Sequence, residues 1–95
     1  MIDFTINGKE YHSEKEVDFK AIYTMSSKMG LQVVNLGNED PWELMVCLVS
    51  YFGGISKEKA LNELNDHFKN GGKISDLEPL MEYFCKSDFF QKTQA

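Results

Sequence analysis

The chain contains no arginine. Its ten basic residues are all lysine, set against fifteen acids, for a net charge of −5. Nucleic-acid recognition draws on clustered cations and favours arginine for bidentate contacts. Here the lysines are scattered among acids, so a nucleic-acid partner is not expected. Long apolar runs are missing too: none reaches the roughly 18 residues that a membrane span requires. Met1-Ile2-Asp3-Phe4 lacks the basic and apolar regions of a signal peptide, and the expected location is the cytoplasm, with no membrane partner. Cysteine is scarce. Cys47 and Cys85 lie in apolar helical patterns without secretory context and are expected to be reduced and buried.

Catalytic patterns are equally sparse. Neither His12 nor His67 has a carboxylate or cysteine at metal-ligand spacing, and the cysteines are far apart. A dyad of either cysteine with His67 is disfavoured, because an apolar stripe raises a thiol pKa instead of activating the thiol. No Gly-x-x-x-x-Gly-Lys-Ser/Thr loop occurs. In the segment Asp66 to Gly72, Phe68 stands where a calcium loop needs an oxygen ligand. Acyl carrier proteins attach their prosthetic group at an Asp-Ser-Leu. The order here, Ile74-Ser75-Asp76-Leu77, makes Ser75 a plain helix cap instead. The expectation is a non-enzyme without catalytic, metal-binding or cofactor-binding residues.

What remains is a small helical domain. Ninety-five residues support one modest core, and 42% apolar with 26% charged residues is ordinary for a globular protein. Ile2, Phe4 and Ile6 alternate with polar residues up to Asn7-Gly8, the strongest short hairpin signal. Ser13-Glu14-Lys15-Glu16 fits a capping box. The helix after it, from about Glu14 or Val17 to Met29, carries Phe19, Ala21, Ile22, Met25 and Met29 on its apolar face, and Gly30 ends it. Leu31 to Leu36 reads as a short strand or as an extended connection. Asp40-Pro41-Trp42-Glu43 starts a second helix. That helix is apolar nearly all round, and so is central to the core or partly covered by a partner. Trp42, Val46, Val49 and Phe52 are its expected core residues.

Ser56 caps a third helix with a stripe of Ala60, Leu61, Leu64 and Phe68, ended by Gly71-Gly72. Ser75-Asp76-Leu77-Glu78 is a further capping box. The last stripe holds Leu77, Leu80, Met81, Phe84, Cys85 and Phe89, with Tyr83 and Phe90 outside it. The expected fold is α+β, mostly α. A single domain spans 1–95, with a hairpin at about 2–12 packed on about four helices at 14–29, 41–52, 56–70 and 76–91. Tyr83, Phe89 and Phe90 form a candidate protein-binding surface, since aromatics outside a core stripe are costly to leave wet. The alternative is that the hairpin or the Leu31–Leu36 segment covers them.

Three segments together resemble the tail assembly chaperones of long-tailed bacteriophages. They are the opening Ile6-Asn7-Gly8-Lys9 hairpin ending at Tyr11, the charge-rich helix from Ser56 to Gly71-Gly72, and the final Ser87-Asp88-Phe89-Phe90. Asp88 stands where that family often has glycine, and the middle, Gln32 to Phe52, carries no family motif. The resemblance implies a non-enzymatic protein of the bacterial host cytoplasm, absent from the mature virion. It would bind the tape measure protein and keep it soluble while the tail tube assembles. It also implies a longer, frameshift-extended form that recruits tail tube protein. The alternatives are a small helical adaptor or homo-oligomeric scaffold, and an acidic DNA mimic. Mimicry needs a dense one-sided array of carboxylates, which Lys57, Lys59, Lys69 and Lys73 interrupt.

Overall fold

In the computed structural model, which describes residues 1–31 and 41–87, the chain opens on two antiparallel strands, β1 (Ile2–Ile6) and β2 (Lys9–Ser13). Ile6 lies opposite Lys9, so Asn7 and Gly8 make the turn. Their φ values of 54° and 75° are the two positive angles of a type I′ turn. Phe4 and Ile6 are buried, while Asp3, Thr5, Glu10 and His12 face outward. Phe4 stacks on its cross-strand neighbour Tyr11 with ring centroids 5.1 Å apart. Two strands alone are marginal in water, and this pair is held by its inner face on the helices.

The expected first helix starts later than its capping-box pattern suggests. Ser13 is the last strand residue, paired with Ile2 and buried, and its Oγ accepts the Lys15 N–H at 3.2 Å. A short side-chain turn thus uses the oxygen that would have capped a helix. Helix α1 runs from Phe19 to Met29, with Asp18 as N-cap accepting the Ala21 N–H at 2.9 Å and Gly30 closing its other end. Ala21 and Met25 are buried and Ile22 and Met29 half-buried, but Phe19 is 71% exposed and does not belong to the core face.

Helix α2 (Pro41–Gly53) is the core of the molecule: every residue from Leu44 to Ser50 is buried, as is Phe52. It touches α1, β2 and the two later helices. A helix apolar on all sides is stable in water only when neighbours cover all sides, and here they do for most of its length. Ser50, its one polar core residue, donates to the Ile55 carbonyl at 2.7 Å. Trp42, expected in the core, is 56% exposed, because it stands in the first turn of α2, before the buried run that begins at Leu44.

Helix α3 (Lys57–Lys69) is capped by Ser56, whose Oγ accepts the Lys59 N–H. Ala60 and Leu64 are buried and Phe68 half-buried, whereas Leu61 is 55% exposed. The last helix departs from expectation at both ends. Ile74–Leu77 is a 3-10 turn, and α4 is the short helix Glu78–Cys85. Ser75 caps nothing; the Asp76 carboxylate takes the Lys73 N–H at 2.9 Å instead. At the far end the backbone leaves the helical region at Lys86. Cys47 is buried as expected, but Cys85 is exposed, since only Leu80 and Phe84 of α4 reach the interior. Crowding around the Cys85 thiol still pushes its pKa up. Phe89, Phe90, the form of the Gln32–Leu36 stretch and the Asp40 cap lie outside the described residues.

Candidate protein-binding surface

Tyr83 does not stand in water as an off-stripe aromatic. Its ring meets Phe52 edge-on at 5.6 Å, its hydroxyl donates to the Lys15 carbonyl at 3.0 Å, and the Met1 nitrogen donates to it at 2.9 Å. Desolvation holds the phenol above its usual pKa. The start of β1 and the β2–α1 connection thus cover Tyr83 in the manner of the alternative reading. Of the three expected contact residues it is half-buried and engaged within the chain, and Phe89 and Phe90 follow α4 in sequence, outside the described residues.

The hairpin turn is clamped to α3 by side chains that the sequence leaves scattered. Glu63, buried despite its charge, accepts from Lys9 Nζ at 2.5 Å and from Asn7 Nδ2 at 3.2 Å. These bonds, the Lys9 one first, hold its carboxyl below the usual glutamate range, and the same bond raises the Lys9 ammonium. One turn further along α3, His67 Nδ1 accepts the Asn7 backbone N–H at 2.9 Å. Its Nε2 lies 3.0 Å from Asp76 Oδ2. An acceptor Nδ1 requires the proton on Nε2, which then donates to Asp76. Asp76 is held below the usual range, first by the Lys73 N–H and then by His67.

Gly72 completes this arrangement. A Cβ there would lie 2.4 Å from His67 Cδ2 and 2.6 Å from its carbonyl oxygen. Gly71 serves a different end, carrying the φ of +95° that turns the chain out of α3. With both ring nitrogens engaged, His67 partners neither cysteine as a base. Among the described residues no three His, Cys, Asp or Glu side chains converge on a place for a metal ion. No described helix is long and apolar enough to cross a membrane.

A second polar knot joins three helices. Lys57 at the start of α3 donates to Glu43 of α2, and to the Met29 carbonyl at the end of α1 at 2.9 Å. Glu43 raises the Lys57 pKa. His12 forms an exposed cross-strand pair with Asp3, which raises the imidazole pKa. All of these groups are spent on the fold itself.

Between α2 and α3 the surface is apolar. Trp42, Met45 and Val46 of α2 and Leu61, Leu64, Asn65 and Phe68 of α3 line an open groove of about 170 Å³. Among its described lining residues Asn65 supplies a polar wall. Leu61 and Trp42 stand at its edges more than half exposed, while Leu64 and Met45 form its buried floor. No protein-family model, curated protein or solved structure matches the chain. The groove was not foreseen from sequence, where Trp42 and Leu61 both read as core. No local pattern signalled it, because Leu61, Leu64 and Phe68 fall at i, i+3 and i+7, the ordinary spacing of one core-facing stripe.

Proposed function

We propose that this chain is a non-catalytic assembly chaperone of the long-tailed phage type, which holds apolar helical segments of the tape measure protein in the α2–α3 groove. The resemblance of the Ile6–Tyr11, Ser56–Gly72 and Ser87–Phe90 segments supplies the class of client. The observation that carries the binding mode is the groove itself, with Leu61 exposed at its edge. An apolar helix face laid into such a groove is a recurring recognition mode, and Met45 in the floor adapts to varied side chains. The chain's own net charge of −5 favours solubility.

In this reading the protein acts in the host cytoplasm before the tube closes around the client and does not remain in the virion. In the same reading Phe89 and Phe90, which follow α4 in sequence, are further contact residues for the client, and a frameshift-extended form brings tail tube protein to that client. The test is co-expression with the tape measure protein of the same genome. The expected result is a soluble co-purifying complex with the native chain and an insoluble client with Leu61→Asp. A helical adaptor for a different partner would leave the tape measure protein insoluble in both cases.

A further inference from the structure

The hairpin turn hangs on a histidine acceptor. The Asn7 backbone N–H donates to His67 Nδ1 at 2.9 Å, while His67 Nε2 lies 3.0 Å from Asp76 Oδ2. The ring is only 12% exposed and packs against Gly72, where a Cβ would have no room. Only the neutral ring accepts at Nδ1; an imidazolium carries a proton on both nitrogens and donates from each. A second proton therefore sets two N–H groups against each other at the turn, in a place largely closed to water.

The charges around the ring decide where that new donor can go. Asp76 of the 3-10 turn already faces Nε2, and Lys73 before it holds Asp76 through its backbone N–H. On α3 itself Glu63 lies four residues before His67 and so on the same face. Asn7 bridges these two residues, with its backbone N–H on Nδ1 and its Nδ2 on Glu63 Oε2. Glu63 thus lies on the Nδ1 side of the ring. From the hairpin, Lys9 of β2 is bound to Glu63 Oε1, and Asp3 of β1 lines a cleft with His67, Asp76 and Pro79 of α4. Glu63 and Asp76 are held below the usual carboxyl range, the first mainly by Lys9 and the second by the Lys73 N–H. Both stay charged over the range in which imidazoles take up a proton.

We propose that His67 is a proton-operated latch on the hairpin. The neutral ring holds the Asn7 amide and docks the turn on α3. When the ring takes a second proton from solvent, Nε2–H stays on Asp76 and Nδ1–H turns to Glu63 Oε2. The Asn7 amide and its Nδ2 are then released to water. Lys9 keeps Glu63 Oε1, so the turn loosens while the two strands stay paired. The proton moves one His67 hydrogen bond from the hairpin to the histidine's own helix.

NMR of the full chain between about pH 7.5 and about pH 5 tests this, the window in which imidazoles change charge. The His67 ring and the Asn7 amide should titrate with one midpoint. Asn7 protection against hydrogen exchange, corrected for the intrinsic rate, should fall about tenfold, a factor equivalent to one net hydrogen bond. The paired Phe4 and Tyr11 should keep theirs. His67→Asn places an amide oxygen near the position of Nδ1 and cannot titrate, so Asn7 should stay protected throughout. His12→Gln removes the other histidine, which pairs with Asp3 on the outer face, and should leave the Asn7 response intact. A His67 ring that titrates without the Asn7 amide, or that stays neutral down to about pH 5, overturns the proposal. So does acid loss of Asn7 protection in His67→Asn to the wild-type extent, or a response that disappears in His12→Gln.

Discussion

His67 uses both ring nitrogens at once, accepting from the Asn7 N–H and reaching Asp76. Only one neutral tautomer does this, so long-range ¹⁵N NMR at pH 8 should show His67 protonated at Nε2 and bare at Nδ1. The opposite pattern would break the clamp. Gly72→Ala tests the same contact sterically. Its Cβ has no room beside the His67 ring and carbonyl, and the expected cost is about 1–3 kcal/mol, the scale of overpacking. Gly71→Ala meets no atom within contact distance and should cost only its backbone strain, about 1 kcal/mol. Equal melting points for the two variants would contradict the distinction. Tyr83→Phe removes a hydroxyl that makes two half-exposed hydrogen bonds, for an expected loss of about 1 kcal/mol. From sequence His67 borders the apolar stripe of the third helix, in a structural or merely solvated role. Its partners lie 60 residues before it and nine after it, and no local pattern signals a contact that the topology makes.

At the scale of elements, the hairpin and the α3 clamp respond to acid in a defined direction. Glu63 and Asp76 both have carboxyl pKa values below their usual range in the folded chain. The unfolded chain therefore binds more protons as pH falls. Their contribution is complete above about pH 5 and is lost progressively as pH drops through and below about 4. Thermal melts should show this acid limb, and Glu63→Gln with Asp76→Asn should flatten it. The His12–Asp3 pair has the opposite sign: the raised imidazole stabilises below its ordinary pKa, and the effect disappears as pH rises through the folded value. Type I′ turn, central α2 and the Ser56 cap were all legible in the sequence, because each rests on near neighbours or on an unbroken apolar run. The start of α1 was not. Ser13 and Asp18 both suit an N-cap, and the choice between them depends on whether Ser13 stays in register opposite Ile2.

For the whole molecule, the apolar residues divide between the buried core and the lining of the α2–α3 groove. Phe52→Ala should cost roughly 3–5 kcal/mol, because its side chain is buried and packs edge-on against Tyr51 and Tyr83. Leu61→Asp should shift the melting point little, since Leu61 is already more than half in water. Sequence periodicity marks both as stripe residues; only the placement of α3 against α2 separates them. That is why the fold class was readable while the groove was not. The central claim is that the α2–α3 groove receives an apolar helical client. It is tested most directly by NMR titration of the chain with a helical peptide from the tape measure protein. The account predicts that the largest shifts fall on the Trp42 indole, Met45, Leu61 and Phe68, and that Leu61→Asp abolishes them. Shifts confined to the outer face of α1 or to the hairpin, or none at all at saturating peptide, would contradict it.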